Sequence, residues 1–203
     1  MKQAIFTGSG VALVTPFTSG GVDYPALEKL LDFQLDHGTD AVIVCGTTGE
    51  AATMSYAERM AVIEAVVRRV DGRVPVIAGS GANCTETAIA LSRDAVSAGA
   101  DGLLVVTPFY NKATQRGLVR HYTAVADAAE KPVILYNVPS RTGVKCTAET
   151  YAALAQHPNI LGVKEAGGDL ALIQKTRELC PEDFYIWSGN DDETAPIMLL
   201  GGK

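Results

Sequence analysis

The feature of this sequence that most constrains its fold is the alternation of short apolar runs with longer amphipathic stretches. Seven runs rich in β-branched residues predict strands, at residues 11–15, 41–45, 74–78, 102–106, 133–136, 160–164 and 184–187. Most of these runs are apolar throughout, which is typical of strands that are buried on both faces. The sequence therefore predicts an α/β protein with a parallel sheet covered by helices.

Six amphipathic stretches predict the helices, at residues 24–37, 55–70, 85–98, 115–129, 148–157 and 169–179. In the second stretch, apolar residues recur at steps of three and four, as a single buried helical face requires. Ser55 precedes Glu58 at the spacing of a capping box, which predicts a helix start at this point. Strands linked by such helices form right-handed βαβ units.

An internal repeat indicates how these units are arranged. Residues 38–44 (GTDAVIV) resemble residues 99–105 (GADGLLV), and the same step along the chain again reaches the predicted strand at 160–164. The separation fits two units of about 30 residues each. A regular ladder of this kind favours a (β/α)8 barrel over a doubly wound sheet. Only about seven of the eight strands are found, so residues 1–203 are expected to be a single barrel domain that is truncated at its C-terminus.

The composition argues against several classes of protein. Acidic residues outnumber basic residues by 23 to 17, which argues against nucleic acid as a partner. No apolar run approaches the ~20 residues that span a bilayer, and the first residues lack the pattern of a secretory signal. We therefore expect a cytoplasmic protein without a membrane partner. The four cysteines and three histidines show no metal-ligand spacing, so no metal site is expected.

Two predicted strands end in residues that can carry chemistry, and ligands bind at this end of parallel strands. Lys164 closes an apolar run, where burial lowers the pKa of the amine and leaves it free to attack a carbonyl. The alternative is a structural ion pair with Glu165 or Glu50, and position alone leaves both open. Tyr136 can transfer protons beside an imine nitrogen, or it can simply pack.

Two loops add groups that suit a carboxylate ligand. Thr47 and Thr48 precede Gly49 and present hydroxyl and backbone N–H groups, although a plain turn uses the same residues. Arg141 offers a planar guanidinium that can hold a carboxylate through two hydrogen bonds, although a lone loop arginine is more often solvated. A rival class, a phosphate or nucleotide binder, rests on residues 79–83 (GSGAN). It lacks the G-x-G-x-x-G spacing and a Walker lysine.

Three motifs together resemble the dihydrodipicolinate synthase family of pyruvate-dependent class I aldolases. These motifs are GTTGE at residues 46–50, YNVPSRTG at 136–143 and VKE at 163–165, and the resemblance extends over essentially the whole chain. It implies a TIM (β/α)8 barrel, here without the eighth strand and the C-terminal helical domain of the family. It also implies a lyase of lysine biosynthesis through diaminopimelate.

The resemblance implies a role for each of four catalytic residues. Lys164 would form an imine with pyruvate, and the derived enamine would attack aspartate 4-semialdehyde to give 4-hydroxy-tetrahydrodipicolinate. Because the imine is covalent, no cofactor is expected. Tyr136 and Thr47 would form a proton relay with Tyr110, which would reach in from a partner subunit. A homo-oligomer, a dimer or a tetramer, is therefore expected for the full-length protein.

The same resemblance assigns substrate binding to three further residues. Thr48 would bind the pyruvate carboxylate, Arg141 would bind the carboxylate of the aldehyde, and Gly189 would place its backbone near the imine. Two alternatives remain. One is a related enzyme, such as N-acetylneuraminate lyase or a 2-keto-3-deoxy sugar acid aldolase, although the SRTG sequence at 140–143 favours the synthase. The other is an inactive fragment of such an enzyme.

Four positions depart from the family pattern. Phe109 replaces a tyrosine that is common in the family, and Ala113 stands where the same loop often has proline. Tyr56 and Thr87 stand where lysine-sensitive relatives carry a histidine and a glutamate. We therefore expect only weak feedback inhibition by lysine. Half-inhibition of a full-length form by sub-millimolar lysine would contradict this expectation.

Overall fold

The computed structural model describes residues 1–203, which form nine strands. The strands are β1 (Gly10–Ala12), β2 (Phe17–Thr18), β3 (Gly21–Val22), β4 (Ala41–Val44), β5 (Val76–Gly79), β6 (Gly102–Val106), β7 (Val133–Asn137), β8 (Ile160–Glu165) and β9 (Tyr185–Ser188). All except β2 and β3 join one parallel sheet, in which they follow the order of the chain. All seven predicted strands are therefore confirmed, each within two or three residues of its predicted bounds.

Eight α-helices connect or follow these strands. They are α1 (Tyr24–Asp36), α2 (Tyr56–Val70), α3 (Thr85–Ser97), α4 (Gln115–Ala129), α5 (Pro139–Thr142), α6 (Ala148–Leu154), α7 (Leu170–Leu179) and α8 (Thr194–Leu199). Six of them confirm the predicted helices. The predicted extension of α6 to His157 is wrong, because the chain turns after Leu154 ahead of Pro158, and the residue before a proline disfavours the helical conformation.

The predicted start of α2 is also confirmed in detail. The Ser55 hydroxyl accepts a hydrogen bond from the Glu58 backbone N–H at 3.3 Å, and the Glu58 carboxylate accepts one from the Ser55 backbone N–H at 2.8 Å. This reciprocal pair satisfies two of the backbone donors that a helix start leaves free.

The sheet is curved into a half-barrel and packs on both faces. Side chains that point outward join a cluster of 41 buried residues between the sheet and the helices. Those that point inward form a smaller cluster, which includes Ile43, Ile77, Leu104, Ile134, Tyr136 and Trp187. Because neighbouring residues on a strand face opposite ways, burial on both sides explains why the strands are continuous apolar runs.

The half-barrel is open on one side. Strand β1 pairs only with β4, and β9 pairs only with β8, so both are edges of the sheet. This arrangement agrees with the predicted (β/α)8 barrel that lacks a strand.

No helix combines the length and the apolar character that a bilayer crossing would need.

Candidate active site

A cavity of about 570 Å³ opens at the carboxyl ends of the strands. Six of the seven predicted site residues line it, namely Thr47, Thr48, Tyr136, Arg141, Lys164 and Gly189. They come from the ends of four strands or from the loops that follow them. Parallel strands bring their carboxyl ends to one edge of the sheet, which explains why residues so distant in sequence meet here.

Lys164 and Tyr136 form the centre of this cavity. They are directly opposite one another in the β7–β8 register, so both side chains leave the same face of the sheet. The Lys164 Nζ atom lies 4.7 Å from the centroid of the Tyr136 ring. Burial lowers the pKa of the Lys164 amine, and the nearby Asp191 carboxylate opposes this effect.

The alternative interpretation of Lys164 as a structural ion-pair partner is wrong. Lys164 takes part in none of the ion pairs of the chain. Glu165 follows Lys164 on the strand and therefore faces the other side of the sheet, where it accepts hydrogen bonds from Asn137 and Tyr151. Glu50 is exposed in a turn at a φ of 56°.

The Tyr136 side chain is held in a dry environment, with 8% of its surface exposed. Burial raises the pKa of the phenol, while the positive charge of Arg141 and the hydroxyl of Thr47 oppose the rise. At neutral pH Tyr136 is therefore a neutral hydroxyl that can donate and accept a proton beside the lysine.

The turn after β4 presents free hydrogen-bond donors. The backbone N–H groups of Thr47 and Thr48 donate to no acceptor in the protein, whereas the Thr47 carbonyl accepts from Glu50 at 3.1 Å and closes the turn. Both threonine side chains are exposed at the cavity. Adjacent N–H groups and hydroxyls that converge in this way form a concave site for a carboxylate.

Arg141 belongs to α5, a single helical turn that sequence periodicity did not predict. Pro139 begins this turn and Gly143 ends it at a φ of 71°. The Arg141 guanidinium makes no hydrogen bond within the protein and lines the cavity, so its five donors are free for a ligand.

Gly189 follows β9 and supports Lys164 from the neighbouring strand. Its backbone N–H donates to the Glu165 carbonyl at 2.7 Å. A Cβ atom at this position would lie 3.0 Å from Cε of Lys164 and 2.8 Å from Cβ of Ala166. Position 189 therefore requires a glycine if the Lys164 side chain is to keep its observed conformation.

Tyr110 is the predicted site residue that the structure does not bring to the others. It does not line the cavity, and 88% of its surface is exposed. Its backbone has a φ of 72°, a conformation that residues other than glycine rarely adopt. The expectation that Tyr110 acts in the site of a partner subunit stays a prediction.

Sequence reasoning missed the role of Asp191. This residue lines the cavity and is the charged group that opposes the lowered pKa of Lys164. The sequence feature that could have indicated this role is the position of Asp191 shortly after a predicted strand, in the run SGND at residues 188–191.

Fold and site together define a class of protein, the barrels that carry a half-buried lysine suited to imine chemistry at the carboxyl ends of their strands. A sequence model described as the dihydrodipicolinate synthetase family matches residues 5–203. The chain belongs to this family, which confirms the resemblance given by its three motifs.

Individual relatives agree with this membership. The 4-hydroxy-tetrahydrodipicolinate synthase of Alkaliphilus oremlandii is 55% identical over 198 residues, which are 98% of this chain and 68% of that protein. The protein of the same name from Geobacter sulfurreducens is 55% identical over 199 residues, which are 98% of this chain and 69% of that protein. The chain thus spans about two thirds of the length of these relatives.

Solved structures give the same result. The crystal structure of dihydrodipicolinate synthase from Aquifex aeolicus has a TM-score of 0.95 and 48% identity, over 98% of this chain and 68% of that one. The enzyme from Acinetobacter baumannii, described as chloride-inhibited and complexed with pyruvate, has a TM-score of 0.93 and 46% identity, over 96% and 67%. The chain is thus assigned to the synthase lyases, and these relatives give no support to the sialic acid or sugar-acid aldolase alternative.

Proposed function

We propose that this chain condenses pyruvate with aspartate 4-semialdehyde through an imine on Lys164, giving 4-hydroxy-tetrahydrodipicolinate. The observation that carries this proposal is the pairing of Lys164 with Tyr136 in a cavity that also holds free donors for carboxylates. Burial favours the neutral amine, which is the nucleophilic form.

The chemistry begins with attack of the Lys164 amine on the ketone carbon of pyruvate. The resulting carbinolamine loses water and becomes an imine, and loss of a proton from the methyl group gives an enamine. The enamine carbon then bonds to the aldehyde carbon of the second substrate. Finally, the amine of that substrate displaces Lys164 and closes the ring, so the lysine is regenerated and the net reaction releases one water.

Each of these steps moves a proton, and we assign this work to hydroxyl groups. Tyr136 lies beside the amine, and its neutral phenol can relay the proton released during carbinolamine formation by passing its own proton to the Thr47 hydroxyl as it accepts the new one; the reverse transfer delivers a proton to the departing water. Thr47 lies next to Tyr136 and extends the relay. Tyr110 of a second copy would connect it to solvent.

Two different sets of hydrogen-bond donors would bind the carboxylates of the two substrates. Thr48, with its free N–H group, would hold the pyruvate carboxylate, and the free guanidinium of Arg141 would hold the carboxylate of aspartate semialdehyde. The backbone at Gly189 keeps the imine against β9. Since the imine is the electron sink, we propose that no cofactor is needed, that the enzyme acts in the cytoplasm, and that the complete protein is a homo-oligomer.

The proposal is tested by incubating the protein with pyruvate and borohydride and then locating the reduced adduct by mass spectrometry. We expect a single adduct on Lys164, and none in Lys164→Ala. Lys175→Ala is the matched control, because Lys175 is an exposed lysine paired with Glu149. No adduct in a folded sample, or adducts spread over surface lysines, would overturn the proposal and favour an inactive fragment.

A competition assay addresses the second substrate. Aspartate semialdehyde, N-acetylmannosamine and glyceraldehyde are offered to the protein together with pyruvate. We expect consumption of aspartate semialdehyde alone, and Arg141→Ala should raise the KM for this aldehyde far more than it raises the half-saturating pyruvate concentration of adduct formation.

A further inference from the structure

The outer face of the sheet carries a buried polar cluster directly behind the Lys164–Tyr136 pair. Glu165 is 1% exposed, and its carboxyl group accepts one hydrogen bond from Asn137 Nδ2 at 2.7 Å and another from the Tyr151 hydroxyl at 2.7 Å. Asn137 is fully buried, and its Oδ1 atom accepts from the Cys146 backbone N–H at 3.1 Å. No step of the proposed reaction uses these groups.

Buried polar groups of this kind are costly unless their partners are well placed. No cation forms an ion pair with Glu165; the charge of Lys145 lowers the pKa of its carboxyl group, but Lys145 itself pairs with Asp169. Burial raises the pKa of Glu165 to about 7, against the opposing effect of its two hydrogen bonds. A leucine here would avoid burying a carboxyl group but would leave the buried Asn137 amide and Tyr151 hydroxyl without their acceptor, so these three side chains form one interdependent polar unit rather than ordinary packing.

The position of the cluster in the strand register connects it with the amine. Asn137 and Glu165 are opposite one another in the β7–β8 pairing, one residue beyond Tyr136 and Lys164. The side-chain link between Asn137 and Glu165 therefore joins the two strands at the point where the reactive side chains emerge on the other face.

Backbone contacts extend this connection to the neighbouring parts of the site. The Asn137 carbonyl accepts from Ala166 N–H at 2.9 Å, and the Glu165 carbonyl accepts from Gly189 N–H at 2.7 Å. Through Cys146, Asn137 also holds the end of the loop that carries Arg141.

We infer that Glu165 is a positioning residue, which through its hydrogen bond to Asn137 fixes the Lys164 amine relative to the Tyr136 phenol from behind the sheet. The inference rests on the proposed imine chemistry. Displacement of a reacting group by about 1 Å can cost about 100-fold in rate.

Three substitutions distinguish a positioning role of Glu165 from a role in packing alone. Glu165→Gln keeps the link, because the glutamine Oε1 can accept from Asn137 while its amide donates to the Tyr151 hydroxyl, whose hydrogen can rotate away. Glu165→Ala removes the link and leaves Asn137 Nδ2 without a partner. Tyr151→Phe removes the other hydrogen bond of the carboxyl group and leaves the link to Asn137 in place.

The experiment measures the rate of borohydride-trapped pyruvate adduct on Lys164 against pyruvate concentration, per folded molecule. In Glu165→Ala we expect the maximal rate to fall about 10-fold or more, with a half-saturating pyruvate concentration close to that of the unmodified chain, because Thr48 lies in the turn after β4, away from the Glu165 cluster. Glu165→Gln should restore the rate. Tyr151→Phe should lower the melting temperature and leave the rate close to that of the unmodified chain.

If Glu165→Ala does not fold, Glu165→Asp takes its place, because the aspartate side chain is one methylene too short to reach Asn137.

The outcomes distinguish the two proposals. An adduct on Lys164 that forms at the same rate in the unmodified chain and in Glu165→Ala, with only the melting temperature lowered, would overturn the positioning role alone. A rate that Glu165→Gln does not restore would overturn it as well. Absence of any adduct in the folded, unmodified chain would instead overturn the proposed function.

Discussion

The protonation of one amine, that of Lys164, sets the pH range in which the site can react. Burial lowers the pKa of this group because the charged form loses its hydration, and the Asp191 carboxylate opposes the shift by stabilising the ammonium. The balance between the two determines how much free amine is present at neutral pH.

Replacement of Asp191 with asparagine tests this balance. The substitution removes the charge that stabilises the ammonium, so the pKa of Lys164 falls further and the amine is free at lower pH. We expect the rate of pyruvate adduct formation to reach half of its maximum at a lower pH in Asp191→Asn. Asp192→Asn is the control, because Asp192 does not contribute to the pKa of Lys164. A shift towards higher pH would contradict the assignment.

The sequence predicted a site residue correctly where the position of that residue at the end of a strand was enough to place it in the site. Lys164 and Tyr136 were found because each ends an apolar run, and the ends of parallel strands meet. The alternative of an ion pair between Lys164 and Glu165 could not be dismissed from the sequence without the strand assignment, because only on a strand do adjacent residues face opposite ways. Asp191 was missed because it begins a single 3₁₀ turn, Asp191–Glu193, which is too short to show a periodicity and lies outside the motifs that carry the family resemblance.

At the level of secondary structure elements, the close approach of β8 and β9 shapes the site. A Cβ atom at Gly162 would lie 2.0 Å from the Tyr185 carbonyl oxygen, and one at Gly189 would lie 3.0 Å from Lys164 Cε. The two glycines therefore permit the strands and the lysine side chain to pack as closely as they do.

Replacement of Gly189 with alanine should disturb this packing at the amine itself. The methyl group would push on both Lys164 and Ala166, so we expect adduct formation to slow about 10-fold and the free energy of unfolding to fall by about 1–3 kcal/mol. Adduct trapping and urea denaturation measure the two effects. Gly20→Ala is the control, since its nearest neighbour would be 3.6 Å away. An unchanged adduct rate would show that the Lys164 side chain tolerates the added methyl group, which would contradict the prediction.

Elements that carry a clear apolar pattern in the sequence were predictable, including strands as short as β1, whereas single helical turns and the β2–β3 pair were not. The seven sheet strands and six helices each repeat a pattern over several residues, and α2 carries a capping box in addition. The elements α5, α8, β2 and β3 have two to six residues. A helical period cannot be recognised over so few residues, which is why the turn that presents Arg141 was not predicted as a helix although Arg141 itself was.

At the scale of the whole molecule, one chain gathers every predicted site residue except Tyr110. This aromatic side chain is almost fully exposed and is held out by a backbone conformation with positive φ. An exposed aromatic residue on a constrained turn is suited to contact with another molecule. If Tyr110 completes the proton relay of a second copy, each site depends on two chains.

Mixing two defective variants tests this dependence directly. Tyr110→Phe keeps Lys164 but cannot complete the relay, so its adduct formation should be about 100-fold slower than that of the unmodified chain. Lys164→Ala cannot form the adduct but still carries Tyr110. Adding an excess of Lys164→Ala should therefore accelerate adduct formation on the Tyr110→Phe chain, whereas a chain carrying both substitutions should not. If Tyr110→Phe reacts as fast as the unmodified chain, Tyr110 has no part in the relay. If it is slow but gains nothing from mixing, Tyr110 does not act between chains, and the site depends on a single chain.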